Sequence, residues 1–160
     1  MAKCDMFLKI EGAKQGLIKG EAQDGTHRDE IEVLSWSWGM STHHSLQSGL
    51  PAGKTSLSEL VIAKRADRAS TAIMSSLRNN ESIKQATLVV RKAGANPLEY
   101  LKITLTEARI VSYSTIGGGP AGEPDVNEEV RFSCKKIKVE YTPQGPDGQA
   151  RGATTFETEV

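Results

Sequence analysis

The chain has 160 residues, 38% hydrophobic and 25% charged, and its twenty basic side chains balance twenty acidic ones at a formal net charge of zero. That length suits one domain, and such a domain buries about 70% of its unfolded surface without needing disulfides. Neutrality argues against nucleic acid or an anionic membrane as the main partner, since both demand a basic surplus, and it permits self-association.

A first strand is read where Cys4, Met6, Leu8 and Ile10 alternate with Asp5, Phe7 and Lys9. Residues 12–16 break it, Leu17–Gln23 reads as a second strand, and Asp24-Gly25 marks a turn. Glu30–Met40, EIEVLSWSWGM, reads as a third strand holding both tryptophans. Alternation puts Leu34, Trp36, Trp38 and Met40 on one face as a core wall. Ser35, Ser37 and Gly39 fall on the other face, which is small, polar and uncharged. Ile31, Val33 and Leu34 are apolar on both faces, so that end is expected to be covered on both sides.

Residues 42–56 have no sustained period and read as a long exposed loop, a length that is usually functional or disordered. Leu57–Lys64 is a short strand. Asp67 reads as an N-cap for a helix over Arg68–Asn79, whose stripe is Ala69, Ala72, Ile73, Ser76 and Leu77. Asn79-Asn80 stops it.

The rest is strand. Ala86–Lys92 leads to a hairpin loop at residues 94–97. In Leu98–Ile116 the apolar phase runs odd through Leu101, Ile103 and Leu105, then even at Ala108 and Ile110, which predicts a bulge near residues 106–108. Residues 117–124, GGGPAGEP, form a flexible connection. Val126–Tyr141 repeats the behaviour, with its switch at Lys135-Lys136. Two long strands whose buried face flips belong to two packed sheets. The expected fold is therefore mainly β, a β-barrel of two packed sheets with one flanking α-helix. Residues 143–152 are turn-rich, and 153–160 form a short strand or a mobile tail; there is no internal repeat.

Reactive chemistry is sparse. His27, His43 and His44 lack HExxH spacing and no CxxC accompanies them, so no metal site is expected. No GxSxG, P-loop or dinucleotide fingerprint occurs, so neither a cofactor nor catalysis is expected. Glu128 and Glu129 point to opposite faces and cannot work as a dyad. Lys135, Lys136 and Lys138 read as a solvated face or protected edge. Cys4 and Cys134 read as small core residues, with a disulfide as the lesser reading. Trp36 and Trp38 read as core packing; the alternative is a stacking platform in a carbohydrate-binding β-sandwich. A third reading, a hydrolase using His43 or His44, lacks a nucleophile and an orienting carboxylate. The N-terminus has no apolar run long enough for a signal peptide, and no run approaches a transmembrane helix.

The segments DMFLKI (5–10), EIEVLSWSWGM, ATLVVRKAG (86–94), EYLKITLTEARIVSYSTIGG (99–118) and VNEEVRFSCKKIKVEYTPQ (126–144) resemble the haemolysin-coregulated protein (Hcp) family, tube proteins of bacterial type VI secretion. The resemblance covers most of the chain and implies a single domain over 1–160, similar in fold to phage tail-tube proteins. It implies hexameric rings stacked into a tube that is fired into target cells and carries small effectors in its lumen. The implied partners are further copies of the chain, a contractile sheath, a trimeric spike and the effectors. The implied location is the bacterial cytoplasm before firing and the outside afterwards, without a cleavable signal peptide. By the same resemblance Ser35 and Ser37 look into the lumen and touch cargo. The loop residues Thr42, His43, His44, Ser45, Leu46, Gln47, Leu50 and Lys54 are placed to reach the adjacent ring.

Overall fold

The computed structural model describes residues 5–42, 55–93, 97–119, 122 and 124–160. In chain order its elements are β1 (Met6–Gly12), β2 (Gly16–Ile18), β3 (Ile31–Glu32), β4 (Ser35–Ser37), β5 (Met40–Ser41), β6 (Ser56–Leu57), β7 (Leu60–Arg65), α1 (Ser70–Arg78), β8 (Ile83–Arg91), β9 (Glu99–Gly117), β10 (Val126–Tyr141) and β11 (Thr154–Glu159).

The long antiparallel pair β9–β10 organises everything else. Beside the first half of β9 lie β8, then β1, then β2, while β11 flanks the second half of β10. Beside the first half of β10 lie β7 and then β4. One hydrogen-bonded network therefore acts as two sheets that share β9 and β10, around a core that includes Leu8, Ile10, Ile62, Leu88, Ile103, Val130 and Phe132. No continuous ladder closes a barrel among the described residues. Residues 31–37 bridge the two sheets, with β3 on β1 and β4 on β7. The remaining pair, β5–β6, is a separate two-stranded ribbon.

The phase changes in β9 and β10 occur where the sequence places them. The ladder pairs Thr106 with Lys136 and Ala108 with Cys134, and skips Glu107, whose φ of 49° is left-handed. Leu105 and Ala108 are both buried on either side of that kink. A second irregularity follows, because Arg131 pairs with Ser112 and Phe132 with Ile110, which leaves Val111 bulged and exposed.

The helix is shorter than expected, with Ala69 at its N-cap and no side-chain cap there. Asp67 instead organises the turn before it: its Oδ1 accepts from the Ala69 N–H at 2.9 Å, and the Ser70 Oγ accepts from the Asp67 N–H at 3.0 Å. The far end closes on Asn80 at φ 52°, where the Glu81 N–H donates to the Ser76 carbonyl at 2.9 Å. Ala69, Ile73 and Ser76 are buried, with Ala72 and Leu77 packed beside them, as the stripe predicts.

Three expectations need correction: the extent of the second strand, the single strand over Glu30–Met40, and the placing of Leu34 and Met40 in the core. The second strand ends at Ile18, and residues 19–30 form a loop over the outer face of β1. There His27 stacks on Phe7, ring centroids 4.5 Å apart, and Arg91 lies over the same ring at 5.1 Å. Glu30–Met40 is three short strands rather than one. Ile31 and Val33 point inward, whereas Trp36 and Trp38 are the residues packed against the core further on, so the phase flips at Leu34. Leu34 is consequently 44% exposed, and Met40, on the separate β5–β6 ribbon, is 51% exposed. Neither is a core residue of the single chain, while Trp36 and Trp38 are half-buried against the core. Of the two alternatives for the C-terminal residues, the short strand is the one formed, as β11.

Candidate functional site

The expected lumen residues sit on the four-strand sheet ordered β4-β7-β10-β9. Direct cross-strand partners share a face. One row is Ser37, Val61, Arg131 and Ser112; the next is Ser35, Ala63, Glu129 and Ser114. None of these eight side chains is buried. The face is thus built from four serines, an alanine and a valine around one pair of large charged groups. Arg131 donates to Glu129 Oε1 from Nε at 3.0 Å, with its Nη2 at 2.9 Å from the same oxygen. The pair is half-exposed, with side chains 43% and 45% accessible.

The reverse side of these strands is core. Trp36 pairs with Ile62, Ile62 with Val130, and Val130 with Tyr113. The next row carries a buried polar cluster that the sequence reading missed. Lys64 Nζ donates to Glu128 Oε1 at 2.6 Å and to Asp67 Oδ1 at 2.9 Å, and Ser70 Oγ donates to Glu128 Oε1 at 2.8 Å. Tyr113 closes the cluster with a hydrogen bond to Glu128 Oε2. Burial pushes the Glu128 carboxyl up, but the bonds from Lys64, Tyr113 and Ser70 outweigh it and hold the group below its ordinary value. The Tyr113 phenol is pushed up to about 12, by burial first and then by the Glu128 carboxylate. This cluster ties the start of α1 to the back of the sheet. Glu128 inward and Glu129 outward is the arrangement that strand alternation predicts.

Both edges of the four-strand sheet are free of strand partners among the described residues. β4 pairs only with β7, and β9 beyond Ala108 pairs only with β10. Apolar side chains stand exposed near both edges: Leu34 beside β4, and Val111 and Ile116 on β9. Of the expected ring-contact loop, Thr42 is described and exposed; His43, His44, Ser45, Leu46, Gln47, Leu50 and Lys54 lie outside the described residues. Cys134 is a free, half-buried thiol pushed up by burial, and Cys4 lies outside the described residues. The three lysines near the β10 switch each meet a carboxylate: Lys135 with Glu107, Lys136 with Glu157 and Lys138 with Glu140.

Sequence alone does not single out Arg131, Ser112, Ser114, Val61 and Ala63, and it marks Glu129 only as the outward member of the Glu128-Glu129 pair. Alternation alone marks them as outward-facing, yet only the lateral strand order brings them beside Ser35 and Ser37.

A family model described as type VI secretion system effector, Hcp, matches residues 7–141. The chain belongs to the Hcp family. The Hcp1 protein of Pseudomonas aeruginosa is 41% identical over 151 residues, spanning 92% of this chain and 89% of that one. The crystal structure of Hcp1 from Salmonella typhimurium is 37% identical, covers 97% of this chain and 93% of its own, and superposes with a TM-score of 0.75. A type VI secretion system effector from Yersinia pestis is 32% identical, covers 98% and 100%, and has a TM-score of 0.77. Hcp is a structural protein of type VI secretion, and this chain is one of its tube proteins. The carbohydrate-binding alternative finds no support in this Hcp chain: its tryptophans pack against the core instead of standing as a platform.

Proposed function

We propose that this Hcp chain closes into hexameric rings whose inner wall is the β4-β7-β10-β9 sheet. The observation that carries the reading is a four-strand sheet with a small-residue outer face and a free edge on each side. A heterologous contact that joins one edge to the opposite edge of a neighbour repeats until it closes, and it removes both exposed edges at once. Six such sheets, with strands about 4.8 Å apart and tilted by about 40°, enclose a wall roughly 50 Å across. A folded domain of about 100 residues, with a radius of gyration near 13 Å, fits inside. Leu34, Val111 and Ile116 would be covered between neighbours.

In this reading the chain forms one tube domain over residues 1–160. Ser35 and Ser37 line the channel, and the loop residues Thr42, His43, His44, Ser45, Leu46, Gln47, Leu50 and Lys54 reach the next ring. The stacked tube sits within a contractile sheath, carries a trimeric spike and holds small effectors; it leaves the bacterial cytoplasm by firing. It works as a conduit and carrier without catalysing a reaction.

Substitution of Ser37 with arginine tests the assignment. Rings should still form by negative-stain microscopy, while retention of a co-expressed effector in pull-down falls. Loss of the rings would instead put Ser37 in a packed contact.

A further inference from the structure

The charged pair in the middle of this face is half-exposed. An exposed ion pair contributes little to stability. Arg131 and Glu129 are nevertheless the only ionisable side chains in the two central rows, and each sits among serines, Val61 and Ala63. They are two residues apart on β10, hence on the same face, and the guanidinium closes on a single carboxylate oxygen through two nitrogens. Each charge therefore cancels the other within one chain. Repeated around a ring, these twelve charges add no net charge to the two central rows, whereas six unpaired ones would create a band of one sign there; Arg65, next on β7 beyond Ala63, and Glu59, beside Val61 and Arg131, flank those rows.

We infer that the Arg131–Glu129 pair is a self-masking device that makes the wall selective for cargo presenting an uncharged hydrogen-bonding surface. A cargo carboxylate must displace Glu129 to reach Arg131, and a cargo ammonium must displace Arg131 to reach Glu129. Either exchange trades one ion pair for another and gains little. Neutral polar cargo surfaces meet serine hydroxyls, which donate and accept without breaking the pair. The two central rows thus hold neutral polar surfaces weakly and are indifferent to charged ones. This inference rests on the face lining the channel.

The test uses purified rings of the full chain, Glu129→Gln, Arg131→Gln and the double variant, with fluorescein-labelled hexaglutamate and hexalysine as probes in anisotropy titrations at low and high salt. The unaltered rings should bind both peptides weakly. Glu129→Gln should gain on the order of ten-fold for hexaglutamate, and Arg131→Gln a similar factor for hexalysine, through the unmasked field. High salt should erase both gains, and the double variant should return to the starting behaviour. Single variants that bind like the unaltered rings would overturn the inference. So would unaltered rings that already bind one peptide tightly, or a single variant that no longer forms rings, since the pair would then be an assembly contact. A ring reconstruction run alongside reports separately on the channel assignment. If β10 lies on the outer wall, the channel reading and the cargo role fail, even where the peptide titrations behave as masking requires.

Discussion

At the scale of single residues, the buried cluster around Lys64 is the feature most exposed to substitution. Lys64 is fully buried, and its charge is tolerable only because Glu128 and Asp67 surround it. Removing one partner leaves an uncompensated buried charge, a loss of about 3–5 kcal/mol. Lys64→Met should lower stability by that amount in urea denaturation, and adding Glu128→Leu should recover much of it. The pH dependence follows from Glu128. Its folded value lies below the ordinary 4.5, so its contribution is complete above that pH and is lost as pH falls through the folded value. The unaltered chain should therefore lose more stability below pH 4.5 than the Lys64→Met, Glu128→Leu chain does. Gly20 is a second sensitive point: a Cβ there would lie 2.6 Å from the Glu30 carbonyl oxygen and 2.9 Å from Ile31 Cα. Backbone cannot yield as a flexible side chain does, so Gly20→Ala should cost about 1–3 kcal/mol, read as a lowered melting temperature.

At the scale of elements, the long strands were legible and the short ones were not. In β9 and β10 the apolar residues alternate cleanly with polar ones, so the flip at Glu107 and its partner flip near Lys135 are visible in the sequence. In residues 31–40 the apolar run Ile31, Val33 and Leu34 hides the same event, and one strand was read where the chain crosses between sheets. Alternation counted through that run therefore places Leu34 and Met40 on the core face. The face around Ser35 was legible only in part. Alternation identifies the outward serines of each strand, but pairing between strands far apart in sequence decides which of them meet. The Lys64–Glu128 contact was hidden for the same reason, because it joins residues 64 apart. Exposed apolar groups at the edges yield a prediction at this scale. Leu34→Glu and Ile116→Glu should change single-chain stability by less than about 0.5 kcal/mol, as surface substitutions do. The same variants should disrupt ring formation in size-exclusion chromatography. A large loss of stability would instead mean that these residues pack in the core.

At the scale of the whole molecule, the fold divides its work between two sheets that share β9 and β10. The β2-β1-β8 side supplies much of the core and carries the loop that stacks His27 on Phe7, with Arg91 of β8 over the same ring. The β4-β7-β10-β9 side supplies a face without large apolar groups in its two central rows and edges that a neighbour can complete. Membership of the Hcp family makes the chain a tube protein; the free edges and the small-residue face supply a physical route from this single chain to a channel. The most direct test is a cryo-electron microscopy reconstruction of the purified protein. The account predicts closed six-membered rings, with β4 meeting the β9 edge of its neighbour and Ser35, Ser37, Glu129 and Arg131 facing the channel. A protein that stays monomeric at high concentration, or a ring with this face turned outward, would contradict it.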